Sequence, residues 1–458
     1  MINLNKELYI KYMKKILPCL LLLLMGLTNC APKTTSDNLT LNNLNFSNYI
    51  AIGTDYTAGY ANDGLNIESQ KNSFPAMLAQ QVRYIKNIPF NQPFLETGTD
   101  SYYGLKWVGA DSICPDHFLQ FRIDTVSGKN IRDWANISGS GYFQNLGIPY
   151  LKVADLNKHY LQLPNSVTPN MYFHRLLSNP LTSYMEYIKV QPQPSFFTLE
   201  LGFNDVFSYV WKGGGQGSSN DISSQEDFEQ NYSELVKQLT QNNAQGVLFT
   251  IPSVSDLPFV NMIGYEWVNN GDCKGNTLYE KEDSLGEVRK LLPGDFLLMH
   301  AYNNLKYGSN PLFGMHTDYP LDPKWVLDES EVQNAIDATR RFNAFIKKKA
   351  QENNLALFDF GQFIHEIKVG NVIIDGINLS SNYLEGGFYS LDGWSLTPRG
   401  NAIITNKVIE VTNSKYGSSI PFLNIEDYEG VRFPHRYGAN CSNPNLPVMA
   451  RGGKNSKQ

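Results

Sequence analysis

Three polar clusters follow apolar runs, each where a strand gives way to a turn: Gly53-Thr-Asp55-Tyr56, Gly202-Phe-Asn204-Asp205, and Asp392-Gly-Trp394-Ser395-Leu-Thr-Pro398. Asp55 and Asp392 could face one cleft, and two carboxylates about 6.5–9.5 Å apart can run inverting glycoside hydrolysis. Each cluster also has an architectural use. An acid behind Gly53 suits the N-terminus of a following helix, and Asn204 and Asp205 suit a turn in which side chains bond backbone groups. Asp392 can bond the last helix or Ser395. Seven histidines (His117, His159, His174, His300, His316, His365 and His435) are the groups that titrate nearest neutral pH. Of these, His300 and His316 lie in the segment leading to the last helix. Lys212-Gly-Gly-Gly-Gln-Gly217 lacks the Gly-Lys-Ser/Thr ending of a phosphate loop and reads as a flexible lid. The cysteine spacing fits no zinc motif, and neither metal nor cofactor is expected.

Several elements must hold these clusters. Apolar runs at 48–53, 196–202, 247–251 and 355–360 read as buried strands. Residues 74–85 and 225–243 read as helices, the second with Phe228, Tyr232, Leu235, Val236 and Leu239 at helical spacing. A long helix is predicted over 329–353, with Val332, Ile336, Phe342, Phe345 and Ile346 on one face and an acidic capping box of Asp328 and Glu331. Thr397-Pro398 opens a last helix, with Thr as its cap. Alternating strands and helices imply a mainly parallel sheet covered on both faces, with ligands beyond the carboxyl ends of the strands. The stretches 86–190 and 255–325 lack clear periodicity and read as loop elaborations over that face.

Four blocks in order make a resemblance specific. Gly53-Thr-Asp-Tyr-Thr-Ala-Gly59, Gln144-Asn-Leu-Gly-Ile-Pro149, Gly202-Phe-Asn-Asp205 and Asp392-Gly-Trp-Ser-Leu-Thr-Pro-Arg-Gly400 resemble the four blocks of SGNH/GDSL hydrolases. The resemblance covers about residues 47–430. It implies a flavodoxin-like three-layer α/β/α fold with a mainly parallel sheet and large loop insertions. Active members use a Ser nucleophile, a His base and an Asp that orients the His. Their oxyanion is held by the Ser amide, a Gly amide and an Asn side chain. Position by position, the serine place is Asp55, the glycine place Tyr150 and the histidine place Ser395, while Asn204 and Asp392 keep the family residue types. An ionised Asp55 would repel a developing oxyanion, and Ser395 is too weak a base near neutral pH. The Tyr150 side chain would take volume that a glycine leaves for substrate. The resemblance therefore implies a catalytically degenerate member with no working catalytic residue.

Composition and targeting frame the functional reading. The chain has 458 residues, 42% hydrophobic and 18% charged, enough for a large packed core. A net charge of -6 gives no case for nucleic-acid binding. Lys14 and Lys15 precede an apolar run from Ile16 to Leu27 that is too short to span a bilayer but suits a signal peptide. The run ends Leu27-Thr-Asn-Cys30, which resembles a lipobox, so residues 1–30 read as a lipoprotein signal and Cys30 as the site of fatty acylation, of the palmitate kind. Residues 31–46 form a tether, 47–430 the hydrolase-like domain and 431–458 a polar tail. Cys114, Cys273 and Cys441 allow at most one disulfide, with its pairing open. The expectation is a lipoprotein held at the outer membrane through Cys30, on its periplasmic or its exterior face. It would be a pseudoenzyme serving as a binding or structural subunit of an envelope complex, with a glycan, a lipid head group or an outer-membrane protein as partner. Tyr56, Asn204 and Trp394 are the residues expected to meet a ligand. The alternative is an active hydrolase, esterase or glycan-acting, with altered catalytic residues.

Overall fold

The computed structural model describes residues 39–95, 103–112, 119–127, 134–163, 166–214, 222–262, 278–282, 287–301, 310, 312–370 and 372–431. The signal segment with Cys30, Cys114, Cys273, Cys441, His117, His435, the end of the lid at 215–217 and the tail from 432 lie outside the described residues.

Five strands form one parallel sheet: β1 (Tyr49–Gly53), β2 (Asn145–Gly147), β3 (Phe196–Glu200), β4 (Gln245–Phe249) and β5 (Ala356–Phe358). Their order across the sheet is β5-β4-β3-β1-β2. β1 and β3 are buried along their whole length, the pattern of strands covered on both faces. Chain connections leave in opposite directions from β1 and β3, which opens a crevice at their carboxyl ends. The expected mainly parallel α/β/α fold is present.

Helices α1 (Asp55–Ala58), α2 (Phe74–Arg83), α3 (Phe203–Val210), α4 (Gln225–Leu239), α5 (Glu329–Glu352) and α6 (Pro398–Tyr416) build the rest of the scaffold. α2 packs on α6, which crosses β4 and β5 on one face of the sheet. α3 and α4 pack against α5 in the other layer, where the Phe228 and Phe342 rings stack at 4.0 Å. The capping box of α5 is formed, with Glu331 N–H donating to Asp328 Oδ1 at 2.7 Å and Asp328 N–H to Glu331 Oε2 at 3.0 Å. Val332, Phe342 and Ile346 are buried in the core and Ile336 and Phe345 pack at its margin. Thr397 caps α6 through its hydroxyl, which accepts Gly400 N–H at 3.0 Å.

The stretch 86–190 needs a correction. It contains β2, an edge strand of the main sheet, as well as an antiparallel hairpin of Tyr103–Ser112 and Leu119–Ser127. Three residues, Asn-Leu-Gly, are too few to show a period. The stretch 255–325 carries shorter antiparallel pairs, including Tyr279–Glu282 with Glu287–Lys290.

Candidate functional site

The carboxyl ends of β1 and β3 place Asp55 and Asn204 side by side. Gly53 closes β1, and a Cβ there would collide with the Thr57 hydroxyl and the Glu200 carbonyl, so only glycine lets the two strand ends meet. Gly202, at φ 118°, turns the chain from β3 into α3 and delivers Asn204 to the crevice.

Asp55 is fully buried at the start of α1. Its carboxylate does not cap the helix; it reaches across the crevice. Asn204 Nδ2 donates to Asp55 Oδ2 at 2.6 Å, and Tyr150 N–H donates to its two oxygens at 3.3 and 3.4 Å. The N–H of Asp55 itself also supports the charge. These are the three donors that would hold an oxyanion, and a carboxylate of the same chain fills them. Burial nevertheless pushes Asp55 up to about 6, against the pull of the donors and with a smaller push from Asp392.

Tyr150, at the glycine place, still presents its amide as a donor. An amide donor belongs to the backbone, and Tyr150 keeps it aimed at Asp55 by holding φ at 66°, a conformation that favours glycine. Its ring packs against Tyr60 and Tyr172, and its hydroxyl lies 2.5 Å from that of Tyr60.

Ser395 and Asp392 form a closed pair. The Ser395 hydroxyl donates to Asp392 Oδ2, while Ser395 N–H and Trp394 N–H donate to Oδ1 at 2.8 and 3.0 Å. Asp63 N–H adds a fourth donor to Oδ2 at 2.8 Å. Four donors use the acceptor capacity of a carboxylate. The same turn, Ala61 to Gly64, sends Asn62 N–H to Ser390 Oγ at 2.9 Å, and Ser390 Oγ lies 2.7 Å from Ser395 Oγ. Asp55 and Asp392 thus each spend their lone pairs on protein donors, which leaves neither placed to activate a water as a glycosidase base would.

Tyr56, Asn204 and Trp394, the residues expected to meet a ligand, are buried. They are 2%, 2% and 1% exposed. Tyr56 donates its hydroxyl to Trp394 O at 3.0 Å, and the Trp394 ring stacks on Tyr60 at 5.4 Å and Phe203 at 5.8 Å. Aromatic rings fill the space at the ends of β1 and β3. Flat apolar rings gain by stacking on one another as they would by stacking on a ligand.

The described histidines offer no base to this centre. His300 lies edge-on to Trp211 and Phe259, and burial lowers it to about 4. His316 is exposed beside Asp318 at 3.5 Å. His174 bonds the Leu161 carbonyl, His159 the Leu181 carbonyl, and His365 Asp256. Among the described residues no group of three or more His, Cys, Asp or Glu side chains suits a metal ion.

The sequence reading missed two residues, Glu200 and Asp63. Glu200, at the end of β3, accepts Thr54 N–H at 3.0 Å and Thr57 N–H at 3.2 Å, and both threonine hydroxyls at 3.0 Å. It braces the turn that carries Asp55, and burial raises it to about 8. Asp63 accepts the Tyr60 hydroxyl at 3.0 Å and is raised to about 7, by burial first and then by Asp392. Asp205 was read as part of a turn; it accepts Val153 N–H at 2.7 Å and Ala154 N–H at 3.1 Å and so ties down the loop that follows Tyr150. An ionisable residue inside an otherwise apolar strand was the available signal for Glu200.

Comparison with known proteins agrees with this geometry. The family model described as GDSL-like Lipase/Acylhydrolase matches residues 49–408, from the first residue of β1 into α6. No curated protein and no solved structure gives a match. With three of the four blocks at strand ends of a 2-1-3-4-5 parallel sheet and the fourth leading into α6, and a family match over most of its length, the chain belongs to the GDSL-like lipase/acylhydrolase family.

Proposed function

We propose that this chain is a non-catalytic member of its family, a binding or structural subunit held at the outer membrane through a lipidated Cys30. The observation that carries the reading is the Asp55 carboxylate seated on the oxyanion donors Asn204 Nδ2 and Tyr150 N–H. A substrate carbonyl would have to displace an internal group that is already bonded. The second support is Ser395, whose hydroxyl is turned onto Asp392 where a base would stand. A glycan, a lipid head group or an outer-membrane protein in an envelope complex remains the partner class for such a subunit.

The hydrolase alternative would need Asp55 to attack or to move protons. Its burial and its three donors oppose both. The test is p-nitrophenyl acetate turnover and fluorophosphonate labelling of the purified protein beside a mock-purified control. Neither is expected. Substantial turnover that Asp55→Ala abolishes would make Asp55 a working catalytic group and end the non-catalytic reading.

A further inference from the structure

Past the carboxyl end of β2 the chain runs through Tyr150 and Leu151 to Lys152, which is 9% exposed. A lysine this enclosed ordinarily has an anionic partner. Lys152 has no ion pair and no side-chain hydrogen bond among the described residues. Its ammonium is not sealed in, so a packed stem delivers an unpaired charge to the surface.

The acid beside it is already bonded. Asp205, on α3, accepts the N–H groups of Val153 and Ala154, the two residues after Lys152, at 2.7 and 3.1 Å, and a further bond from Ser223. Burial raises Asp205 to about 6 against those bonds and against the charge of Lys152.

A second cation stands on the same side. Lys212 follows Asp205 by seven residues, and helical bonding continues past the end of α3, with Trp211 N–H donating to Phe207 O at 2.8 Å and Lys212 N–H to Tyr209 O at 3.3 Å. Seven residues are close to two turns, so Lys212 lies on the Asp205 face of the helix. Its ammonium likewise has no ion pair or hydrogen bond among the described residues. Burial, and then the charge of Lys152, hold Lys212 below its ordinary value.

Two unpaired ammoniums beside an occupied carboxylate make a positive point at the carboxyl ends of the strands, where open parallel sheets bind their ligands. The chain as a whole carries a net charge of -6, so composition does not account for it. Like charges held together call for an anion between them, and two of them match a dianion. A phosphate monoester brings about two negative charges and three acceptor oxygens near neutral pH, where a carboxylate brings one charge.

We propose that Lys152 and Lys212 bind a phosphate group, a monoester borne by a lipid head group or by a soluble compound. The inference deepens the binding role proposed above and rests on it only for its purpose, since the lysines hold phosphate whether or not esters are cleaved.

The test uses the full-length protein, purified in detergent and titrated in a calorimeter with inorganic phosphate and with glycerol phosphate, beside acetate at matched ionic strength. Both phosphates should bind and acetate should not. Lys152→Met and Lys212→Met, which keep most of the stem, should each weaken binding about tenfold or more, the scale of a lost charge-assisted hydrogen bond. Lys189→Met, whose ammonium is paired with Glu234 at 2.7 Å, should leave it unchanged. Melting temperatures report whether the variants fold. Should Lys152→Met fail to fold, Lys212→Met and the charge-keeping Lys152→Arg, which should still bind, decide the matter. Dihexanoyl phosphatidic acid separates the two sources: tighter binding than glycerol phosphate assigns the phosphate to a lipid head group, and equal or weaker binding to a soluble compound. No phosphate binding, binding unchanged in the Met variants, or acetate bound as tightly as phosphate would overturn the proposal. Ester turnover in the same preparation bears on the non-catalytic reading alone, so the two ideas fail separately.

Discussion

Asp55 and Glu200 are buried acids and Asp63 a partly buried one; their bonded partners are amides and hydroxyls, with no cation bonded to any of them among the described residues. Their ordinary values of 3.8 and 4.5 rise to about 6, 7 and 8 in the fold, in each case chiefly through burial. Below pH 3.8 the folded and unfolded chains are equally protonated at these places. As pH rises the unfolded chain releases its protons first, so the folded state alone carries the growing cost of charging buried groups. Stability should therefore fall from about pH 4 to about pH 8, the reverse of the trend that salt-bridged carboxylates produce. Each unit of displacement corresponds to about 1.4 kcal/mol. Urea unfolding across that window checks the sign, and Asp63→Asn should flatten the segment up to about pH 7; stability that climbs over the same range would contradict the assignment. Asp55→Ala makes a different point. It strands Asn204 Nδ2 and Tyr150 N–H, and two unpaired donors should cost about 2–4 kcal/mol, lessened by the relief of a buried acid. Formate or acetate at tens of millimolar should then raise the melting temperature of the variant and not that of the parent. An equal response in both proteins would mean that the donors do not form an open anion hole once Asp55 is gone.

At the scale of elements, the turn from Ala61 to Gly64 supplies Asp392 with a donor, the N–H of Asp63. Asn62 and Asp63 hold φ at 55° and 57°, and Ala61 and Gly64 exchange two backbone bonds. Asn and Asp tolerate the left-handed region better than other residues with a side chain. Asn62 Oδ1 also accepts Leu391 N–H at 3.0 Å, which fastens the turn to the Asp392 loop. Asn62→Ala loses both advantages and should destabilise the protein by about 1–3 kcal/mol, whereas Asn62→Gly, which keeps the conformation, should lose less. Equal losses in thermal melts would show that the backbone conformation is not the issue. Much of this scaffold was legible in advance. The run at 49–53 is apolar up to Gly53, that at 196–200 is broken only by Thr198 before Glu200, and α5 announces itself through Asp328, Glu331 and a regular buried face. β2 was not legible, because Asn145–Gly147 is a strand only by virtue of pairing with β1. The blocks marked Asp55, Tyr150, Asn204, Asp392 and Ser395 as one place. That the Asp55 carboxylate would sit on the oxyanion donors was hidden, since it depends on the direction of the Tyr150 amide, a property of the backbone path. The burial of Trp394 was hidden for a related reason: Tyr60, Phe203 and Phe207 gather around it from separate stretches of chain.

For the whole molecule the question is where the domain is held. No helix among the described residues is long and apolar enough to cross a membrane. An acylated Cys30 would supply the attachment, since two chains anchor where one binds only reversibly. Cys30→Ala should shift the protein from the detergent-soluble membrane fraction to the soluble or precursor pool. Intact mass of the membrane-derived protein should show a mature N-terminus at Cys30 with acyl chains. A mature terminus elsewhere, without lipid, would defeat the anchoring proposal and with it the outer-membrane location.

A catalytic side chain is erased by one substitution, but a cup of backbone amides is written into the path of the chain and survives as long as the fold does. On the non-catalytic reading proposed above, losing the nucleophile would leave behind an electropositive vacancy in which only the Asn204 donor could itself be removed by a substitution. The sheet order that sets β1 beside β3 guarantees the vacancy, and Asp55 is its tenant. Drift at this position should then be one-sided. Relatives that lack the serine should carry Asp, Asn, Glu or another acceptor at position 55 far more often than Ala, Val or Leu, even where positions 150 and 395 vary freely. Aligning such relatives is enough to decide it, and an unrestricted mixture at position 55 would show that the vacancy can stand empty.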